Sequence, residues 1–267
     1  MTRLASALSV IRNIASAVQR ARRGALACTL MVLCGCVDTS PPPEYASFGR
    51  FQELRIYRPV RRPRHLALLL SGDGGWGEGL SSIARRLAAS GTLTVGIDSR
   101  ILLEGYREGG CVSAGEDLAE LARYLRGRYR PADAAAVLIG HSAGATLVYL
   151  ALAQSQAGTF AGALTLSFCA DLDLEAPLCP VLPAVAHPGG ARLLPGAALP
   201  GRWIDLHGLD DEVCPASEAQ AFVAGTPGAE FVPLPGITHS YRHEARWWPQ
   251  FIAGYRRLVG PPGAARH

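Results

Sequence analysis

Gly140-His141-Ser142-Ala143-Gly144 spells G-x-S-x-G, with one hydroxyl set between two residues that carry no side chain. A serine hydroxyl attacks a carbonyl only when a base removes its proton, and the base in turn needs an orienting acid. His239, in the stretch LPGITHS, is the leading base: it follows an apolar run and precedes the last helical stretch. His243 is the runner-up, four residues on and read as helical. The other histidines fit less well. His65 starts a strand, His187 lies in a proline-rich stretch, and His267 is terminal. His141 adjoins the serine but points away from it, and His207 packs ahead of the acid loop. The acid is read as Asp211 in Gly208-Leu209-Asp210-Asp211-Glu212-Val213, with Asp210 as the alternative.

Acyl transfer also needs donors for the negative oxygen that develops in the transition state. Ala143 N–H supplies one. The second is assigned to Asp73 N–H, then Gly74, in the loop Ser71-Gly72-Asp73-Gly74-Gly75-Trp76-Gly77, whose glycines let the backbone aim amides at a ligand. A phosphate-loop reading of that loop fails, because no Gly-Lys-Ser/Thr follows and the chain contains no lysine. No metal and no cofactor is expected: there is no CxxC pair, and the four cysteines beyond the first 36 residues (Cys111, Cys169, Cys179, Cys214) are an even set suited to disulfides, with three pairings open.

The elements that must hold these groups alternate along the chain. Strand-like runs are Phe51–Arg58, His65–Ser71, Thr92–Ile97, Ala135–Gly140, Gly162–Phe168, Arg202–His207 and Glu230–Leu234. HLALLLS is apolar throughout, as a strand buried on both faces must be. Helical spacing appears in Ser81–Ser90, Glu116–Tyr129, Ser142–Gln154, Ala216–Ala224 and Tyr241–Leu258. Alternating β and α units predict a mostly parallel sheet with helices on both faces, and Ser142, Asp211 and His239 each follow the end of a strand. Asp171–Gly201 holds six prolines, too many for a regular helix, and reads as a lid or rim insertion after the sixth strand of such a sheet.

Charge separates the chain into an address and a body. The formal net charge is +4 over 267 residues, but residues 1–35 hold five Arg and no acid. Removing them leaves 21 basic against 22 acidic residues, so the body is nearly neutral and nucleic-acid binding is not expected. Residues 24–35 (GALACTLMVLCG) form an apolar run too short to span a bilayer, which needs about 20 apolar residues. With the arginines before it, the run reads as a signal peptide over 1–35. Leu33-Cys34-Gly35-Cys36 resembles a bacterial lipobox, which makes Cys36 the lipidation site; an ordinary signal peptide is the alternative. Residues 36–49 then read as a tether and 50–260 as the folded domain. A periplasmic, membrane-anchored lipoprotein follows, and Val37 after Cys36 leans toward the outer membrane.

With SGDGGW, GHSAG, HGLDDEVC and PGITHS in this order, the chain resembles the AcvB/VirJ family of exported bacterial proteins in the α/β-hydrolase superfamily. SGDGGW is the most specific part. The elbow departs from the family's usual form: the residue before Ser142 is His141, where the family has an aromatic, and Thr146 stands where it has Asp. The resemblance implies an α/β-hydrolase fold, a Ser142–His239–Asp211 triad, hydrolysis of aminoacyl-phosphatidylglycerols and a link to type IV secretion. The expectation is an exported serine hydrolase cleaving a lipid-linked or aminoacyl ester, with Asp73, Asp98 or Glu104 available to a cationic head group. The alternatives are a non-catalytic envelope protein assisting type IV secretion, and a general esterase or lipase.

Overall fold

The computed structural model describes residues 41–260 apart from Gly109, Glu175 and Val181. The expected signal peptide, the lipidation site Cys36 and the first residues of the tether lie outside the described residues. Among the described residues eleven strands form: β1 (Glu44–Phe48), β2 (Phe51–Tyr57), β3 (His65–Leu70), β4 (Thr92–Ile97), β5 (Ala136–His141), β6 (Phe160–Leu166), β7 (Asp171–Leu172), β8 (Ala184–His187), β9 (Gly190–Leu193), β10 (Trp203–Gly208) and β11 (Ala229–Leu234). Six α-helices accompany them among the same residues: α1 (Glu78–Ala89), α2 (Ser99–Arg107), α3 (Ala114–Tyr129), α4 (Ala143–Ala153), α5 (Ala216–Ala224) and α6 (Trp248–Val259).

The main sheet has eight strands in the order β1-β2-β4-β3-β5-β6-β10-β11. From β4 to β11 every pair is parallel, and β2 runs antiparallel to both of its neighbours. The alternation of side chains along β3 builds both halves of the core. Leu66, Leu68 and Leu70 pack with Leu118, Leu121 and Leu125 of α3 and with the buried length of α4, while Ala67 and Leu69 pack with Ile83 and Leu87 of α1 and Phe251 and Tyr255 of α6. Helix α4 has no polar face because residues Gly144–Leu152 are all buried. The strands therefore end together at one edge, the edge where parallel sheets place their ligands.

Three local readings are corrected. Glu44–Phe48, assigned to the tether, pairs with β2 as an edge strand. Ser99–Arg107, assigned to no element, is a helix capped by the Asp98 carboxylate, which accepts from Arg100 N–H. The helix expected from Tyr241 begins only at Trp248, after a 3-10 turn at Glu244–Arg246. Pro249 sits in its first turn, where its missing N–H breaks no helical bond, so His243 lies outside the helix. Within the proline-rich segment, read as a lid or rim insertion, β7, β9 and β8 form a small antiparallel sheet through non-proline residues.

Of the three possible pairings, the cysteines adopt Cys111–Cys179 and Cys169–Cys214. Two disulfides fit an oxidising, non-cytoplasmic compartment. No helix among the described residues is long and apolar enough to cross a membrane. Cys111–Cys179 fastens the insertion to the segment before α3, beside paired backbone bonds from Val112 N–H to Pro177 C=O (2.7 Å) and from Cys179 N–H to Val112 C=O (3.0 Å). Its partners are 68 residues apart, so its loss frees a long loop in the unfolded chain. Replacing both Cys111 and Cys179 by Ser is expected to lower stability by about 2–4 kcal/mol, read as a lower urea midpoint.

Candidate active site

The G-x-S-x-G stretch is the turn between β5 and α4. Ser142 adopts φ 56° and ψ −125°, a left-handed conformation that a non-glycine residue holds only when its surroundings enforce it. Its neighbours explain the enforcement. A Cβ on Gly140 would stand 2.2 Å from Gly144 C=O, and one on Gly144 would stand 2.2 Å from Ser71 C=O. Ser142 N–H donates to Leu166 C=O of β6 at 3.0 Å, anchoring the turn in the sheet. The side chain is thereby lifted above the strand ends, at the N-terminus of α4.

Ser142 Oγ lies 3.0 Å from His239 Nε2, and His239 Nδ1 lies 2.9 Å and 3.1 Å from the two carboxylate oxygens of Asp211. Nδ1 faces only carboxylate oxygens and so carries the proton, leaving the Nε2 lone pair to accept from Ser142. Asp211 is held by other donors too. Its Oδ1 accepts from Val213 N–H and Cys214 N–H, each at 2.9 Å, and its Oδ2 accepts from Ser167 Oγ. Burial alone would raise its pKa, but the bonds from His239, Ser167 and Cys214 N–H outweigh burial and hold the carboxyl well below the usual carboxylate range.

The structure thus brings Ser142, His239 and Asp211 into one hydrogen-bonded line. Asp210, the alternative acid, is exposed, and its backbone N–H donates to Ile237 C=O. His243 is exposed at the start of the 3-10 turn and makes no contact with the serine. The glycine loop lies beside the nucleophile, since a Cβ on Gly72 would stand 3.1 Å from Ser142 Cβ. Gly75 N–H closes the loop onto Gly72 C=O at 3.0 Å, with Asp73 and Gly74 at its corners. Ala143 N–H, the first of α4, has no intrahelical acceptor. Asp98 does not fit the head-group role: its side chain is 2% exposed, pairs with Arg100 at 3.0 Å and accepts from Trp76 N–H. Glu104 is exposed and lies 3.4 Å from Arg107.

Sequence reasoning missed the residues behind the triad. His141 does not merely turn away, because its Nε2–H donates to His239 C=O at 2.9 Å and braces the base loop. Burial, with His239 nearby, lowers its pKa and keeps it neutral. Tyr241, with φ 49°, sends its hydroxyl to Leu206 C=O at 2.5 Å, 3.3 Å from Ser167 Oγ. The Cys169–Cys214 disulfide ties the acid loop to the segment after β6, and Thr146 of α4 donates to Cys169 C=O at 2.7 Å. Asp211, Cys214 and His239 cluster as metal ligands could, but Cys214 is in the disulfide and the other two face each other.

This is an α/β-hydrolase fold, and solved structures of that fold superpose on most of the chain. Est1E from Butyrivibrio proteoclasticus aligns at 16% identity with TM-score 0.54, covering 82% of this chain and 99% of that one. The esterase domain of a Rhodothermus marinus protein aligns at 19% identity and TM-score 0.55, covering 82% and 98%. Butyrate-bound Est2 from the Planctomycetes species Thermogutta terrifontis aligns at 15% identity and TM-score 0.58, covering 85% and 98%. No curated protein sequence matches the chain. Residues 64–172, which hold the glycine loop and Ser142, match the family model described as bacterial virulence protein (VirJ). That segment ends before Asp211 and His239.

A carboxyl with a depressed native pKa adds stability that is present above its unfolded value, near 4, and is lost as pH falls through the native value. Asp211→Asn is therefore expected to cost about 2 kcal/mol at pH 7. The gap between variant and wild type in urea midpoint should shrink steadily below pH 4.

Proposed function

We propose that this protein is a serine ester hydrolase working through an acyl-enzyme. The observation that carries this reading is the unbroken line Ser142 Oγ–His239–Asp211 at the strand ends. Ser142 Oγ attacks the ester carbonyl while His239 Nε2 takes its proton, and Asp211 stabilises the imidazolium so formed. His239 then gives the proton to the leaving alkoxide, and the acyl group stays on Ser142. Water, deprotonated by the same histidine, releases the acid. Ala143 N–H and Asp73 N–H serve as the oxyanion donors, the second from a loop that Gly72 sets against Ser142.

Within that class, a lipid-linked or aminoacyl ester at the membrane surface is our reading of the substrate. It is supported by the VirJ match over residues 64–172 and by a leader whose Cys36 would carry a lipid in the periplasm. A general carboxylester is the second reading, favoured by the esterases among the structural neighbours, one of them described as bound to butyrate. Service to type IV secretion without catalysis is the competing class.

A fluorophosphonate probe is expected to label the purified protein, with labelling abolished in Ser142→Ala and His239→Ala. Labelling that survives in Ser142→Ala sinks the hydrolase reading. Asp211→Asn should keep the fold while kcat on a p-nitrophenyl ester falls about 10⁴-fold. Release of amino acid from vesicles containing aminoacyl-phosphatidylglycerol, set against turnover of short-chain esters, then separates the two substrate readings.

A further inference from the structure

One buried titratable group takes no part in the steps above. His207 is the fifth residue of β10, and its side chain is wholly buried, as is that of Asp205 two residues before it. Its Nδ1 lies 2.9 Å from Asp205 Oδ2, and its Nε2 lies 2.8 Å from Cys214 C=O and 3.8 Å from Asp211 Oδ2. A carbonyl oxygen can only accept. As a carboxylate Asp205 is likewise an acceptor, its Oδ1 taking Thr165 Oγ1–H at 2.7 Å and Phe168 N–H at 3.3 Å and its Oδ2 facing His207. A neutral imidazole has one bare nitrogen, which at either position would point its lone pair at an oxygen lone pair.

We propose that His207 is a permanently protonated positioning residue, an imidazolium sealed between Asp205 and Asp211 that keeps Asp211 ionised and in place behind His239. The groups around the ring leave this as the consistent arrangement. β10 contributes Asp205, and the acid loop contributes Asp211 and the Cys214 carbonyl. β11 contributes the Phe231 ring, stacked at 5.7 Å. Beyond Asp211 stand Ser167, Tyr241 and His239, none of which is a fixed cation. Burial alone would lower the pKa of His207, but the bonds to Asp205 and Cys214 and the charges of both carboxylates hold it above the ordinary histidine value.

The electrostatic consequence is specific. Two buried carboxylates without a cation between them repel each other, and an imidazolium between them relieves that repulsion and fixes Asp211 in place. With His207 charged, Asp205, His207 and Asp211 together carry −1, which the imidazolium of His239 cancels during acyl transfer. The catalytic half of this argument rests on the hydrolase reading; the protonation state does not.

The test therefore starts without substrate. In the intact, disulfide-bonded protein labelled with ¹⁵N-histidine, the ring of His207, assigned through its own backbone, should show two protonated nitrogens across pH 6 to 9. One deprotonated nitrogen at pH 7 overturns the proposal, whatever the enzyme assays give. His207→Gln removes the charge and one of the two donors. Its kcat on a p-nitrophenyl ester is expected to fall roughly 10- to 100-fold with KM little changed. The acid limb of kcat/KM should move to higher pH, because the site loses a fixed positive charge. Loss of kcat with an unmoved limb would mean that His207 acts by packing alone, and would overturn the electrostatic role. If the variant does not fold, the spectrum of the wild-type protein decides.

Discussion

The backbone of Ser142 is the constraint around which the site is built. Its conformation is one that an L-residue leaves if it can. It cannot leave, because α4 is buried on all sides and Gly140 and Gly144 are pressed against backbone atoms. One of those contacts is with Ser71, the first residue of the glycine loop, so the turn that presents the nucleophile also sets the distance to the loop offered as its oxyanion donor. That loop is held from its far side. Asp98 takes Trp76 N–H, the Trp76 ring fills the space over Gly96, and the Arg100 guanidinium covers Gly75. The proposed attack geometry and oxyanion stabilisation thus share one connection across the ends of β3, β4 and β5.

The acid is organised on the opposite principle, by gathering many weak holds. Asp211 is fed by its own loop, by Ser167 after β6 and by His239 after β11, and the Cys169–Cys214 bridge joins two of these segments covalently. Leaving a buried charge unsatisfied costs several times what an average hydrogen bond contributes, so each donor is worth more as part of the set than alone. The aromatic cluster of Tyr149, Phe168, Trp203 and Phe222 supports the same region from below, with ring centres 4.8–6.1 Å apart. Trp203 Nε1–H also reaches Thr165, which in turn donates to Asp205. Packing and polar order meet at β10.

What could be read from the sequence follows from how local its cause is. HLALLL and the Ala136–Gly140 run declare buried strands because nothing else tolerates so unbroken an apolar stretch, and Ser142, Asp211 and His239 were placed by the strands that precede them. The edge strand Glu44–Phe48 escaped because five mostly exposed residues that follow three prolines gain strand character only by pairing with β2. Helix α2 escaped for a similar reason: SRILLEGYR is short, and Asp98 as its cap is unremarkable until Arg100 closes on it. The supports of the acid were hidden more deeply, since a hydroxyl at Ser167 or an imidazole at His207 has meaning only beside partners tens of residues away. One clue was present. Asp205 and His207 put two polar side chains on the same face of a strand whose other residues are apolar, and a buried strand does that only when the polar groups answer each other.

The cysteine pairing has a consequence for how the molecule can be made. Numbered along the chain, the first cysteine of the body joins the third and the second joins the fourth, so the two covalent loops overlap instead of following one another. A chain that emerges from its N-terminus and is oxidised as it appears would join Cys111 to Cys169, the nearest available thiols, and leave Cys179 to meet Cys214. The native set needs either a delay until residue 214 has arrived or an exchange that undoes the early bond through a mixed disulfide. Maturation of this fold therefore depends on timing: oxidation is held back until residue 214 is present, or a thiol-disulfide isomerising activity corrects what formed too early.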